Sequence, residues 1–199
     1  LYMLSLPTFR QLSTPAERLL YATQYEACSG LPVPSDYLLS KENQVFGIFY
    51  QKTLIGGFLL GFGQDSRTVR LFARSEAQAN ILEALGCADK YSELCCLWLA
   101  RKYRATLLIN TFTWLSILYA LLRFANPCLV FGTCSQGLAR LYTSSKRVHL
   151  LHKDVINRKP TYIFTGHRHN YLVGILNILL HKFSRKLRLG WWRWRLKRA

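Results

Sequence analysis

Glu93, Tyr142 and the run Arg101-Lys102-Tyr103-Arg104-Ala105-Thr106 are the residues here whose types and spacing suit chemistry. Glu93 opens a strand-like stretch, ELCCLWL, and is one of only two acids after residue 92; the other is Asp154. A carboxylate set among strand residues suits a general base. It equally suits an ion pair with one of the many arginines. Tyr142 carries a phenol that can give a proton to a leaving group. Its other reading is an amphipathic tyrosine in the core. Arg101, Lys102, Arg104, Ala105 and Thr106 lie between a strand end and a helix start. Helix N-terminal N–H groups together with Arg forks bind a phosphate or pyrophosphate. A solvated basic turn is the alternative.

Other reactive residues form weaker patterns. His149 and His152 are three apart, and His167 and His169 two apart. On a regular strand His149 and His152 face opposite sides, and only Asp154 is near enough in sequence to help hold a metal. No metal site is expected. Cys134-Ser135 sits between a strand and a helix without a visible base, and the G-x-S-x-G pattern of hydrolases is missing. The six cysteines, at 28, 87, 95, 96, 128 and 134, show no paired C-x-x-C or zinc-finger spacing. They read as free thiols of a reducing compartment. The first residues, LYMLSLPTFRQL, lack the basic start and long apolar run of a secretory signal. A cytoplasmic location is therefore expected, with peripheral attachment to the inner face of a membrane as a further expectation.

The 199 residues are half apolar, 14% aromatic and 19% charged, which excludes a disordered polyelectrolyte. The net charge of +17 is carried by one half of the chain. Residues 1–92 hold eight Lys/Arg and eight Asp/Glu; residues 93–199 hold 19 Lys/Arg and two acids. Such a field calls for an anionic partner: a membrane surface, an acidic carrier protein, a phosphorylated cofactor or nucleic acid. The tail, residues 184–199, interleaves Trp191, Trp192 and Trp194 with Arg193, Arg195, Lys197 and Arg198. This mixture suits an interfacial membrane anchor. It also suits single-stranded nucleic acid or a solvated tail. Residues 1–183 read as one domain.

These residues must be positioned by regular elements. Thr14, Pro15 and Glu17 mark a helix start with a capping box, and the helix stops near Ser29-Gly30. Leu31–Asp36 reads as a loop. VFGIFY (45–50) and TLIGGFLLGF (53–62) read as a hairpin turning at Gln51-Lys52, with a bulge at Gly56-Gly57. Thr68–Ala73 reads as a third short strand and Glu76–Leu85 as a helix. Glu93–Leu99 is a strand, and a long apolar helix follows from Ala105 to about Phe124. Its Ala105–Leu122 section is uncharged for 18 residues, the lower limit of a membrane span. Asn110, Thr111, Thr113 and Ser116 favour a buried helix instead. Cys128–Gly132 is a strand, Ser135–Ser144 a helix, Val148–His152 and Thr161–Thr165 short strands, and Asn170–Phe183 a helix. Antiparallel strands followed by a βαβ unit imply an α+β fold, with a mixed, mostly antiparallel sheet flanked by helices.

This order resembles the GNAT-type N-acyltransferase superfamily. VFGIFYQKTLIGGFLLGF resembles that superfamily's second and third strands. ELCCLWLARKYR resembles its fourth strand and cofactor loop, and GLARLYTSS resembles the helix that carries a tyrosine near the donor's sulfur. The Gly-rich loop of acetyl-CoA users is replaced by Arg101–Thr106. The stretch is closer to the autoinducer synthases and ornithine-lipid N-acyltransferases, which share an acidic residue opening the fourth strand and an Arg ending it. In the lipid branch a Trp-bearing helix follows, as Trp114 does here. The resemblance implies transfer of an acyl group from a thioester on acyl carrier protein or CoA to an amine. It implies Glu93 and Tyr142 as catalytic, and residues 101, 102 and 104–106 as donor-binding. Mom-type DNA-modifying proteins are a third relative, which implies nucleic acid as an alternative partner. A non-enzymatic membrane-surface protein on the same scaffold is the remaining alternative.

Overall fold

A computed structural model describes residues 6–62, 66–70, 79, 83, 91–143, 148–156 and 158–176. Of the expected helix at 76–85 only residues 79 and 83 are described, both helical; Cys87 and the aromatic tail 184–199, with Trp191, Trp192, Trp194, Arg193 and Arg195, lie outside the described residues.

Seven strands form one sheet in the order β1-β2-β3-β4-β5-β7-β6. They are β1 Thr8–Gln11, β2 Gln44–Tyr50, β3 Thr53–Phe62, β4 Tyr91–Leu99, β5 Cys128–Thr133, β6 Val148–Ile156 and β7 Lys159–His167. Only β4 and β5 run parallel; every other pair is antiparallel. The α+β architecture and mixed sheet are those expected. Helices α1 Pro15–Ser29 and α2 Ser35–Leu39 cover one face. Helices α4 Leu107–Phe124 and α5 Gln136–Thr143, with the helical residues 168–176 (α6), cover the other. A four-residue helix, α3 Arg67–Arg70, lies beside β4.

Local chemistry accounts for most of these elements. Thr14 caps α1, accepting from the Glu17 N–H at 3.2 Å, while Glu17 accepts from the Thr14 N–H at 3.3 Å. Gly30 ends the helix at φ 71°. The Arg10 guanidinium, 2.6 Å from Glu17, holds that carboxyl down to about 2 and ties β1 to α1. Gln51 and Lys52 both take positive φ, as a two-residue hairpin turn requires. The glycine step in β3 lets α1 sit down on the sheet. A Cβ on Gly57 would lie 2.2 Å from the Phe46 carbonyl and 2.8 Å from the Tyr21 ring.

Three local expectations are corrected. In the expected strand Thr68–Ala73, residues 68–70 are instead helical, and 71–73 lie outside the described residues. β3 is already paired on both sides, by β2 and β4, and the Glu93 carboxylate accepts the first N–H groups of the turn. Ser35–Leu39 is a short helix where a loop was expected to extend to Asp36. The β6–β7 hairpin is longer than the two short strands expected, and β6 has a register shift between Leu150 and His152. His149 pairs with Thr165 and His152 with Ile163, so the shift brings both histidines to one face. β1 was not anticipated. It is a four-residue edge strand of mixed polarity.

The long apolar helix α4 lays Ile109, Thr113, Trp114, Ile117, Ala120 and Leu121 against the sheet. Thr113 and Ser116 donate to the carbonyls four residues back, at 2.8 and 2.9 Å. That is how two hydroxyls are accommodated on a buried face. By length and composition the helix also passes as a membrane span.

The core is rich in tyrosine. Burial pushes the phenols of Tyr21, Tyr25, Tyr37, Tyr142 and Tyr171 up, and that of Tyr91 up to about 12. An unfolded tyrosine ionises at about 10. The folded state therefore keeps these protons after the unfolded chain has lost them. Stability is whole below about pH 10 and declines as pH rises from there towards the folded values. Urea melts are expected to show a midpoint that holds to about pH 9.5 and then drops. A midpoint unchanged to about pH 11 would contradict this.

Candidate active site

The site arises where two parallel strands part. β4 and β5 pair from Tyr91↔Cys128 to Leu94↔Phe131 and no further. β4 continues to Leu99 and β5 to Thr133, each still paired on its outer side. A wedge opens between them. On its β4 side, Cys96 and Leu97 together oppose Phe58 of β3 in a bulge, with Cys96 at φ 53°. A left-handed conformation costs a non-glycine residue about 1–2 kcal/mol. The buried Tyr21 hydroxyl donates to the Cys96 carbonyl and offsets that cost.

A cavity of about 490 Å³ fills the wedge and reaches both faces of the sheet. That is the size range of small-molecule sites. Its wall on the α4/α5 side is apolar: Leu94, Trp114, Phe131, Leu138, Tyr142 and Tyr171. Its wall on the α1 side carries polar and basic groups, among them Tyr25, Arg67, Thr68, Lys159 and Thr161.

Tyr142 lies on the apolar wall. Its hydroxyl is 3.3 Å from that of Tyr171, and its ring meets Phe131 edge-on at 5.0 Å. Burial keeps the phenol protonated well into the alkaline range. Arg104 also lines the cavity, and its Nε donates to the Leu99 carbonyl at 2.7 Å. Thr106 is the N-cap of α4 and makes no side-chain capping bond. The first N–H groups of an 18-residue helix are therefore left for solvent or an anion. Asn110, one turn into α4, donates to the Arg104 carbonyl at 3.3 Å and faces the cavity. Arg101 and Lys102 are exposed in a 3-10 turn, with Lys102 Nζ 4.8 Å from the Tyr103 ring centre. They lie with Ala105 and Thr106 on the connection into α4 and do not line the cavity.

Glu93 is placed differently. Its side chain is 1% exposed and is not part of the cavity wall. One oxygen accepts from the Tyr37 hydroxyl at 2.7 Å and the Arg67 N–H at 2.8 Å; the other accepts from the Thr68 N–H at 2.6 Å. It anchors α3, and α3 in turn presents Arg67 and Thr68 to the cavity.

Tyr142 and Arg104 thus meet at one cavity, which Glu93 supports from behind. Arg67, Lys159, Tyr25 and Tyr171 line that cavity and were not anticipated. No sequence signal marks them: Arg67 falls just before the stretch Thr68–Ala73 that reads as a strand, and Lys159 in one that reads as a turn. Among the described residues, no three His, Cys, Asp or Glu side chains cluster as a metal centre needs. Cys28, Cys95, Cys96, Cys128 and Cys134 are free thiols. Cys95 and Cys96 both line the cavity, with their sulfurs 3.6 Å apart.

No family model and no curated protein matches the sequence. Solved structures do match its fold. FeeM, an N-acyl amino acid synthase from uncultured soil microbes, superposes with a TM-score of 0.61 at 16% identity, over 82% of this chain and 93% of its own. The acyl-homoserine lactone synthase LasI gives 0.58 at 9% identity, over 82% and 91%. BjaI, a CoA-dependent acyl-homoserine lactone synthase bound to SAM and isopentyl-CoA, gives 0.56 at 15% identity, over 85% and 81%. Other matches include a putative acetyltransferase of the GNAT family, at a TM-score of 0.52. The mixed α+β fold of this chain is therefore the GNAT-type fold of these structures, shared with the acyl-homoserine lactone synthases.

Proposed function

We propose that this chain is an N-acyltransferase that moves an acyl group from a thioester to an amine. The observation that carries the reading is the single cavity through the wedge, apolar at one end and polar and basic at the other. A thioester brings an apolar acyl chain and a polar pantetheine arm. An amine acceptor must reach the same carbonyl from another side, and a cavity open to both faces of the sheet allows that.

In this reading the acyl chain lies against Trp114, Phe131, Leu138 and Tyr171. The donor's phosphate lies at the uncapped start of α4 beside Arg104, with Arg101 and Lys102 on the approach. Those exposed cations suit either the phosphates of CoA or the acidic surface of a carrier protein. The neutral amine attacks the thioester carbonyl. The C–N bond forms, the C–S bond breaks, and the amine's surplus proton passes to solvent. Tyr142 gives its proton to the departing thiolate and is reprotonated from solvent. Glu93 acts at one remove, by holding Arg67 and Thr68 in place.

The test uses the purified full chain with acetyl- to palmitoyl-CoA and the matching acyl carrier protein thioesters, against a panel of amines. Free thiol and an amide of matching mass are expected to appear together, only when amine is present. Absence of amide from every pairing would defeat the proposal.

A further inference from the structure

Arg67 is a buried cation that forms no ion pair among the described residues. Its side chain is 3% exposed and forms part of the cavity wall. Nη2 donates to the Pro32 carbonyl at 2.8 Å, and the guanidinium carbon lies 5.3 Å from the Tyr25 ring centre. Nε is buried with no acceptor. The nearby carboxylate does not serve the guanidinium: the oxygens of Glu93 are taken by the Tyr37 hydroxyl and the backbone N–H groups of residues 67 and 68. The ion pairs among the described residues are Arg10–Glu17 and Arg70–Asp36, and neither involves Arg67. Trp98 repeats the pattern. It is buried on the same cavity, and its Nε1–H has no acceptor.

Buried donors, above all charged ones, are nearly always satisfied in a working protein. Two unsatisfied donors on one cavity mark where a ligand supplies acceptors. A guanidinium is a planar fork that fits a carboxylate.

The geometry points to an acceptor that is an amine bearing a carboxylate, in chemical class an amino acid, with Arg67 as the residue that reads the carboxylate. The inference rests on the acyltransferase reading and deepens it. The apolar wall takes the acyl chain and the start of α4 beside Arg104 takes the donor's phosphate arm, so the wall carrying Arg67 is left for the acceptor. The carboxylate docks on Arg67 and directs the amino group into the wedge. Esters, amides and simple alkylamines lack the anion and leave Arg67 buried and unpaired.

Two measurements on the full chain test it. In the first, calorimetric titration compares leucine with leucinamide, and phenylalanine with phenylalaninamide. Wild type is expected to bind the acids about 10- to 100-fold more tightly than the amides, and Arg67→Gln is expected to weaken acid binding by about that factor. In the second, acyl transfer from a fixed acyl-CoA is followed. Arg67→Gln should raise KM for the acids by a similar factor, leave kcat within a few-fold and leave KM for the amides unchanged. Arg67→Lys should recover part of the loss. A merely structural role for Arg67 would harm acids and amides alike, and that result would overturn the inference. So would equal use of acids and amides by wild type. If no thioester is consumed with any amine, the acyltransferase reading falls. The titration then decides the subsite alone: binding of the acid lost in Arg67→Gln upholds it, and binding unchanged in the variant overturns it.

Discussion

Glu93→Ala is expected to destabilise the protein by about 3–5 kcal/mol, the range for removing one partner of a buried charged network. Three donors point at this carboxylate, from Tyr37, Arg67 and Thr68. Removing it leaves a phenol and two backbone N–H groups buried without acceptors. For a chain of this size the melting temperature should fall by about 2–4 °C per kcal/mol. Glu93→Gln separates support from catalysis. Its amide oxygen still accepts, but its NH2 group faces a donor, so part of the stability loss remains. If Glu93 acts only by holding α3, the variant keeps the pH profile of wild type and loses rate uniformly. If it were the base that receives the amine's proton, the acidic limb of kcat/KM would vanish. An unchanged profile with a lowered plateau is the expected result. Full stability in Glu93→Ala would contradict the network itself.

Tyr142→Phe is expected to act on rate and hardly on folding. The substitution keeps the ring against Phe131 and Phe164 and removes one hydroxyl contact of 3.3 Å with Tyr171. The stability change should be about 1 kcal/mol or less. If Tyr142 protonates the departing thiolate, kcat should drop about 100-fold, the lower end for loss of a general acid. An acyl thiophenyl ester gives a direct check, because its thiolate leaves without a proton. On that donor the variant should approach wild type. An equal loss on both donors would make Tyr142 a wall residue and no more. Burial holds the phenol above its ordinary value, so wild-type kcat should show no alkaline decline from this group below about pH 10.

Both residues could be singled out before any coordinate was known, yet they fare differently in space. Tyr142 lies where its helix and the preceding strand, CLVFG, direct it: inward and onto the cavity. Glu93 follows the alternation of β4 to the face covered by α2 and α3, where backbone donors occupy it. Which of two faces a strand residue meets depends on what packs there, and the sequence between Gly63 and Lys90 offers little periodicity to show it. Arg67 was hidden for the same reason. It precedes Thr68–Ala73, which reads as a strand next after β3, but both edges of β3 are taken by β2 and β4. That is a property of the whole sheet, invisible in a window of six residues.

The sequence by itself determined the capping box and Gly30 stop of α1, the hairpin at Gln51-Lys52, the strand–helix–strand unit around α4, and thereby the α+β class. Those signals are local: hydrogen-bonding side chains next to the backbone they cap, positive-φ turns, and apolar runs between breakers. Only the tertiary structure decided where β4 and β5 part, that the bulge at Cys96 falls beside the gap, that His149 and His152 share a face, and that Arg67 is buried with no ion pair among the described residues. Each depends on pairing or burial between residues distant in the chain. Such free energies are set by which surfaces meet and which charges lose water together, and a single stretch of sequence carries no record of its neighbours in space.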